Sequence, residues 1–219
     1  MIDENSKDSC TYSHTARRQM LPFIPQSAKR VLDVGCNTGG FGQALKSIRD
    51  VEVWGVEPNT KAAEVAAGIL DKVIFDIFTE ETDVPDNYFD VVIFNDVLEH
   101  LIEPGEALRI AQRKLRAGGC VIASIPNVLH HGNLLHMLVE KDFKYESVGI
   151  RDKTHLRFFT RTSAIRLFTE SGLKILTVQG INEDWWSPSL KRRIIYKIFA
   201  KYLEETKYLQ YAIVGKPER

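Results

Sequence analysis

The sequence predicts an α/β protein built on a doubly wound, mostly parallel sheet, and three observations carry that reading. Short apolar runs at 31–34, 51–56, 73–75, 89–94 and 120–125 alternate with helix-patterned stretches, the order expected of a parallel sheet with helices on its faces. The first run breaks into glycines and resumes as a helical pattern at Phe41, Ala44 and Leu45. That is a strand, a tight turn and a helix start, the opening unit of such a sheet. The run Phe89-Asp90-Val91-Val92-Ile93-Phe94 is almost continuously apolar, as a strand covered on both faces requires.

Composition narrows the class. A chain of 219 residues suffices for one α/β domain with a full core and a modest insertion. Its three cysteines, Cys10, Cys36 and Cys120, are widely separated and form no CxxC pair, which argues against a zinc site or a disulfide framework and fits a reducing cytoplasm. The N-terminus is polar and no run of 18 apolar residues occurs, so neither a signal peptide nor a membrane span is expected. The net charge is zero but uneven. Residues 31–127 carry 16 acids against 8 bases, and residues 185–219 carry 8 bases against 3 acids. Nothing is basic enough to argue for nucleic acid, and an acidic half suits a cationic ligand.

Residues 1–10 are polar and unpatterned, a disordered tail. Tyr12, Ala16, Met20 and Leu21 recur at near-helical spacing before Pro22 and Pro25, predicting a leading helix over 11–24. The first strand then runs into Asp33-Val34-Gly35-Cys36-Asn37-Thr38-Gly39. An acid at a strand end followed by a glycine turn suggests a nucleoside cofactor, because glycine lets the backbone approach a ligand closely. A dinucleotide fold would need G-x-G-x-x-G, and the second glycine is missing. The string instead resembles the S-adenosylmethionine (SAM) loop of class I methyltransferases, usually D-x-G-C-G-x-G. Asn37 stands where the middle glycine belongs, and asparagine is one of the few other residues that tolerate positive φ. An acid here also suits SAM, which carries an ammonium and a sulfonium and no phosphate.

The second strand, 51–57, ends in Glu57, 22 residues after Gly35, the distance at which a strand-tip acid reaches ribose hydroxyls. Pro58 stops it, and an Ala-rich helix follows over 60–70. The third strand, 72–75, leads to Asp76-Ile77. The methyltransferase resemblance implies that Asp76 bonds the adenine amino group and Ile77 packs on the ring. The fourth strand, 89–94, runs into Asn95-Asp96-Val97-Leu98-Glu99-His100-Leu101, which starts a helix. Ligands of open α/β sheets lie beyond the carboxyl ends of the strands, so Asn95 and Asp96 point to where the methionine end of SAM and the reacting methyl would sit. Pro104 interrupts, a helix spans 105–115, Gly118-Gly119 ends it, and strand five runs 120–125 to Pro126-Asn127. The span 29–127 resembles the ubiquinone-biosynthesis-like group of class I methyltransferases in all these signals in order. The resemblance implies a Rossmann-like sheet of about seven strands with the last one antiparallel beside strand five.

Residues 128–160 break the alternation and carry His130, His131, His136 and His155. An insertion of this length is a helical lid candidate, with one short amphipathic helix at Leu134, Leu135, Leu138 and Val139. The string 152–160, with Ile125-Pro126-Asn127 upstream, resembles bacterial methyltransferases associated with cell-surface glycan biosynthesis. Thr160 or Thr162 caps a helix stopped by Gly172, strand six runs 173–178, a helix covers 189–205, and 209–214 is the last strand. The helix at 189–205 is basic and amphipathic, with Trp185 and Trp186 before it. It suits weak contact with an anionic membrane, a second subunit in a homodimer, or the core. The organisation expected is a tail and leading helix (1–28), a SAM-binding core (29–127), a lid and acceptor insertion (128–160) and the C-terminal part of the same sheet (161–219), in a cytoplasmic protein, possible at the membrane periphery.

The function expected is SAM-dependent methyl transfer, with S-adenosylhomocysteine as product, to a hydroxyl of a small-molecule or glycan-linked acceptor. The cofactor set is Asp33, Gly35, Cys36, Asn37, Gly39, Glu57, Pro58, Asp76, Ile77, Asn95 and Asp96. An alcohol acceptor needs a base, and neutral imidazole is poised for that near pH 7. The candidates are His100, placed near the acceptor by the family resemblance, and His131 and His155, which flank the lid and could meet across the pocket. No metal constellation at fixed spacing is visible, so a metal-independent enzyme is expected. A SAM-binding protein without transferase activity stays open, and an NAD-type oxidoreductase is disfavoured by the missing glycine.

Overall fold

In a computed structural model, residues 16–183, 199 and 201–218 are described. The organising element is β1 (Arg30–Val34), whose alternate side chains go to opposite faces. Val31 joins one apolar cluster with Val53, Val91 and Ile93, while Leu32 and Val34 join the other with Val92 and Phe94. Because both faces are covered, the strand has to lie inside the sheet. Its parallel neighbours are β2 (Glu52–Val56) and β4 (Phe89–Asn95), in registers Val31↔Val53 and Val31↔Val91. The Asp90 carboxylate secures its start, accepting the backbone N–H groups of Lys29 (2.7 Å) and Arg30 (2.9 Å).

Seven strands are hydrogen-bonded in the order β3-β2-β1-β4-β5-β7-β6. β3 is Lys72–Ile74, β5 is Leu115–Pro126, β6 is Leu173–Glu183 and β7 is Tyr208–Pro217. β7 is antiparallel to both β5 and β6. The helices are α1 (Gly40–Lys46), α2 (Thr60–Ala67), α3 (Pro104–Lys114), α4 (His131–Glu140) and α5 (Arg161–Glu170). Each start has a local cause. Asn59 accepts the Ala62 N–H to cap α2, Pro104 occupies the first turn of α3 where a missing N–H costs nothing, and Thr160 with Ser163 closes a capping box on α5.

Several expected elements differ. The described part of the leading segment is a 3-10 turn, Arg18–Phe23, rather than a helix over 11–24. Pro22 lies inside it, and proline has no N–H to continue an α-helical ladder. The helix expected after the fourth strand is a single 3-10 turn, Leu98–His100. Pro104 starts α3 instead of interrupting a helix. Gly118 and Gly119 lie within β5, at an irregularity of the β4–β5 ladder, and do not end the helix before it. Of the basic helix expected at 189–205, residues 189–198 and 200 lie outside the described residues. No helix among those described is long and apolar enough to cross a membrane.

Close packing under the glycine turn gives a test. A Cβ on Gly55 in β2 would stand inside van der Waals contact of Cys36 Sγ and 2.8 Å from Leu70 Cδ1. Gly55→Ala should therefore cost about 1–3 kcal/mol in urea denaturation. Cys36→Ala in the same chain should return part of that loss. Strictly additive costs would show that the two side chains do not compete for this space.

Candidate functional site

From β1 the chain crosses over to β2 on one side, and its other neighbour is β4. The carboxyl ends of β1 and β4 therefore form the topological switch point, where ligands of open α/β sheets bind. The glycine turn leaves β1 there. Gly35 (φ +70°), Asn37 (φ +50°) and Gly39 (φ +80°) all adopt left-handed backbone, so Asn37 holds the conformation the missing glycine would have held. The Gly35 and Cys36 N–H groups bond Val56 O, and the Thr38 N–H bonds Asn37 Oδ1 at 2.7 Å.

Glu57 follows β2 and ties this turn to the next loop. Its Oε2 accepts the Asn37 N–H and its Oε1 the Asn59 N–H, each at 2.9 Å. A carboxylate offers about four lone-pair directions, so two remain. Asp33 is 1% exposed, and its Oδ1 has no hydrogen-bond partner among the described residues. Burial, reinforced by the Glu57 charge and opposed by the neighbouring Asn95 amide, pushes the Asp33 carboxyl up from 3.8 to about 8. Burial and the same two acids push the Cys36 thiol up as well. Among the described residues neither Asp33 nor Glu57 forms an ion pair with a Lys or Arg. Asp76 turns back to accept the Ile77 N–H at 2.8 Å, and the Ile77 side chain is exposed beside the β3 end.

The two residues expected at the β4 end diverge. Both side-chain polar atoms of Asn95 are buried and lack a hydrogen bond. Asp96, in left-handed backbone, is instead engaged: its Oδ1 accepts Ser124 Oγ (2.9 Å) and Gln210 Nε2 (2.5 Å), and its Oδ2 pairs with Arg17 at 2.6 Å. Asp96 thus ties the leading segment to β5 and β7, and Asn95 is the open group at this strand end.

The three candidate histidines separate as well. His100 and His155 meet edge to face, ring centroids 4.7 Å apart. Burial first, and then His155, hold His100 below the ordinary imidazole range, so it is neutral at pH 7. His131 stands elsewhere, with Nδ1 3.3 Å from Thr206 O and its ring against His130 at 4.2 Å. It pairs with His130 rather than meeting His155. Glu99, which the sequence reading passed over, lies 1% exposed beside His155, Oε1 to Nε2 3.9 Å. Burial, and then Asp96, raise its carboxyl well above the usual range. A lone acid between Leu98 and Leu101 was the available signal.

A family model described as a methyltransferase domain matches residues 10–178. The chain belongs to the methyltransferase-domain family. The class I, SAM-dependent branch expected from the glycine loop is the one its relatives and fold support. The ubiquinone biosynthesis O-methyltransferase of Aeromonas salmonicida is 27% identical over 161 residues, 70% of this chain and 66% of that protein. The 27-O-demethylrifamycin SV methyltransferase of Amycolatopsis mediterranei is 34% identical over 107 residues, 46% of this chain and 39% of that protein. This methyltransferase therefore spans about two thirds or less of those two relatives. A SAM-dependent methyltransferase structure from Archaeoglobus fulgidus shares the fold, with TM-score 0.69, 21% identity and 91% of each chain covered.

The residues present fit SAM. Two adjacent buried acids lack a cation, and beside them Asn95, whose amide is near enough to Asp33 to favour its ionised form, has no closed hydrogen bond at either polar atom. A cationic amino acid moiety supplies what they lack, and the free Glu57 lone pairs suit a diol. The raised Asp33 carboxyl gives a sign. It contributes stability below pH 4, and that contribution is lost as pH rises through about 8. At pH 7 Asp33 is mostly protonated, and a cation beside it favours the ionised form. SAM binding at pH 7 should therefore release a proton, read as heat that varies with the ionisation enthalpy of the buffer. Asp33→Asn should bind more weakly and release none. Buffer-independent heats for the unmodified protein would remove Asp33 from the site.

Proposed function

We propose that this chain methylates a hydroxyl group on a small-molecule or glycan-linked acceptor, using SAM. The observation that carries the reading is the group of polar side chains gathered at the switch point, with Asp33 and Asn95 unsatisfied and Glu57 holding the glycine turn. In this reading Asp33 and Asn95 hold the amino acid end of SAM. Gly35, Cys36, Asn37 and Gly39 form the backbone floor. Glu57 and Pro58 border the ribose, and Asp76 and Ile77 border the adenine. Asp96 acts indirectly, by keeping Arg17 over the β4 end. When bound, SAM supplies a methyl group already activated on a sulfonium. The protein then has to position the acceptor and take its proton.

His100 is the base in this reading. It is neutral at pH 7, half-buried and next to the β4 end. Its ring is held by Thr154, whose carbonyl and hydroxyl oxygens lie 3.2 and 3.1 Å from Nδ1. In this reading the insertion that carries His155 serves as a lid; its Leu156 and Arg157 donate backbone N–H groups to Glu99 O. A hydroxyl acceptor is supported by the Aeromonas relative, which is named as an O-methyltransferase, and a glycan-linked one by the resemblance of the string 152–160. The matched region is only part of each relative, so neither relative's own acceptor is carried over.

Two substitutions separate binding from turnover. Glu57→Ala should weaken SAM binding by 10-fold or more in calorimetry, since it removes the ribose acceptor and the link between two loops. His100→Ala should leave SAM affinity within about 3-fold while turnover falls roughly 10²–10⁴-fold. Calorimetry measures the binding, and methyl transfer from labelled SAM to a panel of hydroxyl compounds measures the turnover. Unchanged turnover in His100→Ala would remove it from the site. SAM binding without any acceptor labelled would favour a binding protein over an enzyme.

A further inference from the structure

Three groups meet in the cluster beside the β4 end with only acceptors facing one another. The His155 Nδ1 lies 3.0 Å from Ile150 O. A carbonyl can only accept, so Nδ1 carries the proton and Nε2 presents a lone pair. That lone pair faces Glu99 Oε1 at 3.9 Å, and neither Glu99 oxygen has a hydrogen-bond partner among the described residues. His100 repeats the arrangement. The single hydroxyl hydrogen of Thr154 goes to Asp152 Oδ1 at 2.7 Å. His100 Nδ1, 3.2 Å from Thr154 O, is therefore the donor in its own contact, and its Nε2 is left as an acceptor. One ligand atom from each of Glu99, His100 and His155 lies within 4.8 Å of the other two.

A proton on Glu99 does not resolve this, because at 3.9 Å it reaches no nitrogen. A cation does. Nitrogen and oxygen ligands stand about 2.0–2.2 Å from zinc, so neighbouring ligands of one tetrahedral ion lie roughly 3.4 Å apart. The Glu99–His155 pair, at 3.9 Å, is wider than that spacing by about 0.5 Å, and no pair in the cluster exceeds 4.8 Å. Its outer contacts are those of a metal site: each imidazole donates its far N–H to a backbone carbonyl, which fixes the tautomer and the ring. The two segments are also bound to each other, since Leu156 N–H (2.8 Å) and Arg157 N–H (3.0 Å) both donate to Glu99 O.

We propose that Glu99, His100 and His155 bind one divalent transition-metal ion, with the lid supplying His155 as the ligand that couples metal binding to lid closure. Two imidazoles and one carboxylate select a borderline ion of the zinc, manganese or iron class over magnesium, which prefers all-oxygen sites. Three protein ligands leave positions open for water or an oxygen of the acceptor. With the ion bound, His100 Nε2 is taken up by the metal, so the ion replaces His100 in activating the acceptor: a hydroxyl held there loses its proton more readily, and that proton leaves to solvent. The catalytic consequence rests on the methyl-transfer reading above; the metal site itself does not, because its test needs no turnover.

The test uses the full chain after dialysis against a chelator. Zn²⁺ titrated by calorimetry should bind at one equivalent, and Co²⁺ should give visible d–d absorption bands from the same site. Mg²⁺ should bind at least 10-fold more weakly than Zn²⁺. Glu99→Gln and His155→Ala should each weaken Zn²⁺ binding by 10-fold or more and abolish the Co²⁺ bands, with SAM binding in the same samples showing that the variants are folded. His155 lies on a loop, so its variant keeps the test open if Glu99→Gln does not fold. No saturable Zn²⁺ binding, or binding unchanged in both variants, would overturn the assignment. Intact metal binding with no SAM binding would leave this site standing and defeat the methyl-transfer reading instead.

Discussion

Two carboxylates, Asp33 and Glu57, are held side by side at the ends of neighbouring parallel strands, with no Lys or Arg ion pair to either among the described residues. The rest of the structure is arranged around that constraint. Burying an uncompensated acid is unfavourable, and the Asp33 carboxyl is pushed up to about 8 as a result. Glu57 is kept in place by two backbone N–H groups from two loops, so its position and the shape of the glycine turn depend on each other. The fold tolerates the strain because β1 is buried on both faces, and its apolar contacts hold the strand ends where they are. In the proposed function, a cation bound beside these acids would remove a cost that folding leaves in place.

The parallel sheet and the glycine turn at its edge were legible because their causes are local. A both-face apolar run makes a central parallel strand, and an acid, two glycines and an asparagine within a few residues make a turn that only left-handed backbone can close. Asn37 shows the limit of pattern matching: it departs from the motif by residue type while meeting the φ requirement behind it. The same local logic failed where a single residue can act in two ways. Pro104 reads as an interruption and is in fact a helix start, and the paired glycines at 118 and 119 read as a helix end and lie within a strand.

The acceptor side was less legible because its contacts join residues far apart in sequence. Asp96 sits next to Asn95, yet one is engaged by Arg17, Ser124 and Gln210 while the other is left open. No periodicity predicts that division. Nor does spacing show that His155 comes to His100 while His131 stays with His130. The insertion is fixed to the sheet by backbone bonds to Glu99 O, which any residue type could make. Its placement is therefore set by chain geometry, and side-chain identity records it only through Glu99, a buried acid in an apolar neighbourhood.

Where the nucleoside lies decides the role of Asp33 and Glu57. A crystal of the full chain soaked with SAM is the most direct measurement. Density over the carboxyl ends of β1, β2 and β4 is predicted, with the ammonium on Asp33 and the ribose diol on Glu57. Density at any other place on the molecule, or a hollow filled by solvent alone at saturating SAM, would contradict it.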